Sequence, residues 1–407
     1  MARKSISLQL HEFGISPSRG FLPFDPLTWI PRSEVFSPLQ QMASELPKLL
    51  AVGALRSSLD AFSQHQLSPL AGQAQDITLS YIYNRGDILQ RTKVIFDYLA
   101  QAYVWGEHSA ATSMPSGFSE FFYYVSKLTG LPPILTYAPY ALWNWRRLDP
   151  SKPIELSNLA TIQNFLGGLD EDWFVLVHVE IEQRAGTIPA YIARAMEAVS
   201  DRDVPMLMNC LKKITASLKN MLETLNRMTE KCDPYIYYTR VRPYLHGSKN
   251  NPALPNGLLY PGVEAYSNTP QTFRGESGAQ SAIVPTLVAG LDIRHTETAF
   301  TPYLQEIRTY MPRGHRRFVE KLEDLSRNGH SILDFVVEIK DTRPDLYEAY
   351  RDCRRAVYDF RRKHYEYVGL YIHSQAQQDT GNPTEVGTAG TPFMTSLKQL
   401  MDETWFD

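Results

Sequence analysis

The sequence predicts an all-α chain, with a large helical domain over residues 151–407 and a smaller, mostly helical one over 1–150. The prediction rests on apolar residues that recur three and four apart through successive segments. The longest such run follows Pro344, where Leu346, Tyr350, Cys353, Val357, Phe360, His364, Tyr367 and Tyr371 fall on one stripe. A third observation sets the boundary: Pro132, Pro133, Pro139, Pro150 and Pro153 punctuate residues 131–155.

In chain order, the first forty residues, rich in proline and aromatics, predict irregular structure wrapping the surface. Residues 37–65 and 86–107 then carry helical spacing, the second through Ile88, Leu89, Ile95, Phe96, Leu99 and Tyr103. Residues 172–182, DWFVLVHVEIE, fit a strand as well as a helix, because their β-branched residues alternate. Helices are predicted over 203–230, 280–293, 298–310, 313–328 and 344–373. Pro344 suits a first helical turn with Asp345 beside it, and Pro392 suits another with Thr391 as its N-cap. Residues 374–391 are polar and Gly/Thr-rich, the composition of a mobile loop that could close over a site.

Composition narrows the function classes. The 407-residue chain has a formal charge of −3, which gives no electrostatic reason to expect nucleic acid or an anionic membrane as partner. The basic runs Arg316-Arg317 and Arg361-Arg362-Lys363 read as solvated helix faces. The start of the chain lacks a signal-peptide apolar stretch, and no apolar run is long enough to span a bilayer, so the expected compartment is the cytoplasm. Cys210, Cys232 and Cys353 are too few and too far apart for a disulfide framework or a cysteine zinc site.

The chemical candidates begin with His364, an imidazole where the stripe asks for an apolar side chain. Such a histidine either finds a buried hydrogen-bond partner or holds a metal, since an unsatisfied polar group in a dry core costs about 1–3 kcal/mol. Around it lies RRKHYEYVGLYI, followed by GTAGTPFMTSLKQLMDET. Upstream are AYVWG, LPPILTYAPYALWNWRRLDPSKP, PYIYYTRVRPYLHGSKNNPALPNGLLYPGV, RGESGAQSA and TYMPRGHRRF. In this order they resemble the indoleamine 2,3-dioxygenase family, heme enzymes that open the indole ring of tryptophan.

The resemblance implies heme b, its iron ferrous in the active form, held non-covalently with His364 as metal ligand. Arg361 would lie near the heme, although a solvent-facing charge is its plain alternative; His373 is less suited to ligation. Residues 1–150 would cover the distal side of the pocket and 151–407 would hold the heme. The helical reading of 172–182 also follows from the resemblance. Arg242 matches the arginine that takes the substrate carboxylate, with Arg240 the obvious misassignment. Tyr237 and Tyr238 stand where the family commonly has phenylalanines, their plain alternative being core packing. Gly275, Ser277 and Gly278 match a loop close to heme and substrate, small residues letting backbone approach a flat cofactor. On its own that run would be an ordinary capped helix start. Glu276 departs from the small residue usual there, and could meet the substrate ammonium or face solvent. Thr388 matches a loop near that ammonium group.

Phe174 falls at a pocket aromatic and Phe122 where relatives often have tyrosine. His178 falls on the distal side, where it could hydrogen-bond the indole N–H. Its alternatives are a structural histidine or, with Glu182, two ligands of a non-heme metal. The implied reaction is heme-dependent cleavage of the indole C2–C3 bond of L-tryptophan by O2 to N-formylkynurenine, a step of tryptophan catabolism, with an electron donor to reduce the heme. A family-like oxygenase or peroxygenase acting on another indole, or a non-catalytic heme-binding sensor, are the competing expectations.

Overall fold

The computed structural model describes residues 8–298, 300–376, 388 and 394–405. In the first part of the chain α1 (Phe36–Ser44), α2 (Leu46–Ala51) and α3 (Leu55–Phe62) replace the single predicted run 37–65. Pro47 starts α2, and Gly53 at φ +63° ends it, a conformation that favours glycine. After α4 (Ala74–Ile82) comes α5 (Gly86–Trp105), close to its predicted bounds and buried from Arg91 through Val104. It packs on α6 (Ser116–Thr129) and α1. A buried ion pair, Lys93 with Asp97, lies within α5, with the ammonium 5.1 Å from the centre of the Phe122 ring.

The proline-punctuated stretch makes a widened turn over 138–142 and then β1 (Trp145–Arg147), which pairs antiparallel with β2 (Leu159–Thr161). Beyond it α7 (Leu169–Arg184), α8 (Ile188–Asp201) and α9 (Val204–Asn226) pack together. α7 is the segment that also resembled a strand. Trp173, Val175, Leu176, Val177, Val179 and Ile181 are all buried, so apolar side chains point in every direction and no single stripe marks the helix. Asp170, Glu171 and Asp172 sit in its first turn, the favourable end of the helix dipole.

A short α10 (Pro234–Ile236) leads into another widened turn over 237–241 and a tight turn over 242–245. The remaining helices are α11 (Ile283–Gly290), α12 (Thr301–Ile307), α13 (Arg313–Leu325), α14 (Ile332–Glu338), α15 (Pro344–Val368), α16 (Ser374–Ala376) and α17 (Met394–Asp402). α11 is shorter than predicted because Gly278–Gln280 forms its own turn before it. α15 runs on through a widened turn, Gly369–His373, into α16. The proposed cap at Thr391 and Pro392 lies outside the described residues. α9 lies under both α7 and α15 and sets the two walls that matter below. Among the described residues no helix is long and apolar enough to cross a membrane.

Candidate active site

The stripe on α15 changes character half-way along. Leu346, Tyr350, Cys353 and Val357 are buried. Beyond them Phe360, Arg361 and Tyr367 are half-buried and His364 is exposed. That exposure faces a recess inside the fold rather than bulk water. Surrounding protein is dense enough to push the imidazole pKa down to about 4, burial being the main cause and the neighbouring His178 imidazole and Arg361 guanidinium, each of which disfavours a second positive charge, the next. His364 is therefore neutral, and among the described residues it has no hydrogen-bond partner. A neutral imidazole on an open, aromatic-lined wall is the donor that heme iron takes. The satisfied core histidine weighed against it does not describe this residue.

Arg361 is not solvent-facing. Its Nη1 donates to the Leu400 carbonyl at 2.6 Å and to the Thr404 hydroxyl, and lies 3.3 Å from His295 Nε2. This ties α15 to α17 beside His364. Burial lowers its pKa to about 10, so it remains a cation.

The opposite wall is α7, where Phe174 and His178 are half-open between buried neighbours. His178 Nδ1 lies 2.7 Å from the Phe174 carbonyl, which can only accept. The proton is thus on Nδ1, and Nε2 is left as an acceptor. Burial lowers the pKa of His178, which keeps it neutral. One turn on, Glu182 accepts from the Tyr137 and Ser281 hydroxyls at 2.9 and 2.8 Å. Burial raises its pKa to about 7. Both contacts use Oε1, and among the described residues no group of three His, Cys, Asp or Glu is placed to hold a metal. The His178–Glu182 pair thus lacks a third ligand.

Aromatic rings close the gap between the walls. Tyr237 stacks on Phe174 with centroids 4.3 Å apart and meets Tyr371 edge-on at 5.7 Å, joining α7 to the end of α15. Tyr140 approaches Phe174 at 6.2 Å, and Tyr137 approaches His178 at 6.1 Å. The widened turns 138–142 and 237–241 place Tyr140, Tyr237 and Tyr238, an irregularity common where side chains must be re-aimed. Tyr237 and Tyr238 are both buried.

Arg242, opening the tight turn, is fully buried, with its guanidinium 5.2 Å from the Tyr238 ring centre, whereas Arg240 is exposed. The Tyr-rich context left these two arginines open and the spacing from Asp233 to Gly247 favoured Arg242; burial separates them in the same sense.

Gly275 is required by a backbone crossing. A Cβ there would come within 2.2 Å of the Leu245 carbonyl oxygen and 2.5 Å of the Gly247 nitrogen. The glycine therefore brings two loop segments together. Ser277 caps the following turn by accepting from the Ala279 amide at 3.3 Å, and Gly278 is exposed. Thr388 donates to the Glu276 carbonyl at 2.6 Å, so its hydroxyl is engaged with the loop. Glu276 is 5% exposed, and the solvent-facing alternative does not hold.

Phe122 lies apart from this group. It packs against Phe96, Phe118 and Tyr260 beside the Lys93–Asp97 pair. The tyrosine that approaches His178 is Tyr137, in the quoted segment LPPILTYAPY. Sequence reasoning singled out neither Tyr137 nor Tyr140. The prolines around them signalled a special turn but not its direction.

Comparison with known proteins points to one family. The sequence model described as indoleamine 2,3-dioxygenase matches residues 9–406. Indoleamine 2,3-dioxygenase 1 of Rattus norvegicus is 32% identical, over 97% of this chain and 94% of its own length. Indoleamine 2,3-dioxygenase 2 of Homo sapiens is 30% identical over 99% and 96%. A 6-hydroxytryptophan 2,3-dioxygenase of Fusarium equiseti is 28% identical over 97% and 96%.

Proposed function

The chain belongs to the indoleamine 2,3-dioxygenase family, whose members are heme-dependent dioxygenases, and from that premise we propose that it cleaves the indole C2–C3 bond of L-tryptophan with O2, giving N-formylkynurenine. The observation that carries the reading is a recess with the neutral, unpartnered His364 on one wall and Phe174, His178 and Tyr237 opposite, near the buried Arg242.

When bound, heme supplies the activation of dioxygen. The residues of the chain bind, orient and exclude water. His364 would be the metal ligand, available because it is already deprotonated. Arg361 would supply positive charge beside it, and the loop of Gly275 and Ser277 would help to hold the cofactor. Arg242 takes the substrate carboxylate in a planar two-point contact. Phe174, Tyr237, Tyr238 and Tyr137 pack the indole, with Gly278 and Thr388 at its amino-acid end. His178 Nε2, an acceptor, receives the indole N–H and holds the ring in register. Residues 1–150 contribute the Tyr137–Tyr140 wall, and 151–407 contribute the rest. Activity requires an electron donor that keeps the iron ferrous, and we place the enzyme in the cytoplasm.

A second reading, another indole as substrate, is favoured by the buried Tyr140 hydroxyl, which has no partner among the described residues. A ring-hydroxylated indole could satisfy it, and the Fusarium relative bears the name of such an activity.

The test is reconstitution with ferrous heme, addition of L-tryptophan and labelled dioxygen, and mass analysis of the product. Two labelled atoms in N-formylkynurenine are expected. Heme binding without that product, but with turnover of a hydroxylated indole, favours the second reading, and heme binding without any turnover favours a sensor. His178→Ser is expected to lower turnover only modestly while leaving heme retention intact. A loss as large as that from removing Arg242 would make His178 more than an orienting acceptor.

A further inference from the structure

Glu276 is a buried carboxyl group that the proposed chemistry leaves unused. Its backbone is fixed on both sides: its amide donates to the Leu245 carbonyl at 3.0 Å, and its carbonyl accepts from Thr388 Oγ1 at 2.6 Å. The side chain has no hydrogen-bond or ion-pair partner among the described residues. The loop that carries it is tied to the Tyr137 backbone through Gln280, whose Nε2 donates to the Gly275 carbonyl at 2.9 Å and whose Oε1 accepts from the Tyr137 amide at 2.8 Å, and its charge reaches the Tyr98, Tyr137, Tyr140 and Tyr237 phenols. Tyr237 also feels Arg242, so the acid and the guanidinium act on the same ring with opposite signs. The Tyr140 hydroxyl is a second buried polar group there without a partner among the described residues.

Buried polar groups are almost always satisfied, and a carboxyl left bare in a protein interior needs an explanation. Among the described residues no lysine or arginine pairs with it. A ligand cation is the group that would satisfy it.

We propose that Glu276 binds the α-ammonium group of the substrate, so that Glu276 and Arg242 together read the two charges of a free α-amino acid. This rests on the reading that the recess takes an indole ligand. It restricts that ligand to zwitterionic amino acids, at the expense of indoles that lack the amino group or carry it acylated. Thr388 is then a positioning residue, holding the Glu276 backbone instead of touching the ammonium itself.

Binding should move a proton. Burial alone pushes the Glu276 pKa up to about 8, so the empty site is mostly neutral at pH 7. An arriving ammonium favours the carboxylate, and the proton leaves for solvent. The phenols within reach of its charge, Tyr98 from α5, Tyr137 just before the 138–142 turn, Tyr140 within it and Tyr237 from the 237–241 turn, all have raised pKa values and stay neutral at that pH.

The experiment is calorimetric titration of the heme-loaded protein, without oxygen, with L-tryptophan and with indole-3-propionate, which keeps the ring and the carboxylate and lacks the ammonium. Wild type is expected to prefer L-tryptophan by about tenfold or more, the usual scale of a charged hydrogen bond. Its binding heat should vary with buffer ionisation enthalpy, reporting release of up to about one proton. In Glu276→Gln that preference and that release should both vanish while indole-3-propionate binds within about twofold of wild type. Equal weakening of both ligands in the variant, or an unchanged L-tryptophan affinity, would overturn the proposal. Wild type alone can also overturn it, by showing neither preference nor proton release, whatever the folding of the variant. If indole-3-propionate binds and L-tryptophan does not, the ammonium contact fails while the indole pocket survives; if neither binds, both fall.

Discussion

The two halves of α15 obey one spacing rule and end in opposite conditions. From Leu346 to Val357 the inward stripe is sealed in the core, and its polar members are engaged: the Tyr350 hydroxyl donates to the Leu291 carbonyl at 2.6 Å. From Phe360 to Tyr367 the same stripe borders a recess, and its polar member, His364, has no described partner. A helical period therefore announces which residues face inward without saying whether the interior there is protein or ligand. The chemical type of the residue at the open end distinguishes the two cases. An apolar side chain would waste a ligand-facing position, and a titratable one would be costly in a sealed core.

The largest expected effects break the comparison in two directions. His364→Ala should leave a folded protein that no longer retains heme, since the proposed metal ligand is removed from a position that is not sealed in the core. Leu346→Ala, on the sealed half, should do the reverse, costing about 2–5 kcal/mol of stability with the Soret spectrum of the heme-loaded protein unchanged. Spectra and thermal melts of both variants decide the matter. A full heme spectrum in His364→Ala, or heme loss in Leu346→Ala, would show that the two halves do not divide as described.

Arg242→Leu sharpens the same contrast on a residue outside α15. A buried cation kept for packing would destabilise the fold when replaced, whereas one kept for a ligand should leave stability near or above wild type and heme in place. The expected loss is in L-tryptophan binding, about 1.5–3 kcal/mol for a charged hydrogen-bonded contact, measured by spectral titration. An unaltered response to tryptophan would remove Arg242 from the site.

The sequence carried the helical class because most of these helices are amphipathic, and it carried α15 nearly to its observed ends. It failed where tertiary burial erases the period. α7 is apolar on every side, so only the resemblance made it a helix. Residues 37–65 broke at Pro47 and Gly53, punctuation that a simple count of apolar spacing passes over. In the site, His364 was legible as a chemical misfit on its stripe. Local composition did not separate Arg242 from Arg240; the spacing favoured Arg242, but its burial was not legible, since that depends on how the turn at 242–245 folds under α5. Tyr137 and Tyr140 were illegible because irregular turns aim their rings, and only that geometry shows that Phe122 packs apart from them. Gly275 was recognised as necessary for a different reason from the one the crossing with Gly247 supplies.

The smallest effect tests whether the open side of the molecule trades stability for binding. For Glu276 the folded pKa is raised to about 8 from an ordinary 4.5, so the folded state holds a proton that the unfolded state has lost between those values. Stability contributed by this group is therefore intact below about pH 4.5 and declines as pH rises through 8. His364 has the opposite sign. Its pKa falls to about 4 from 6.5, so the unfolded state binds the extra proton, and stability is lost as pH falls from about 6.5 towards 4. In ligand-free protein Glu276→Gln should raise the melting temperature slightly at pH 8.5, by about 2 °C or more for each kcal/mol relieved, and by less at pH 5. Melting curves at the two pH values suffice. An equal shift at both would mean that packing around residue 276, and not its charge, sets the difference, and the bare carboxyl would no longer mark a site held ready for a cation.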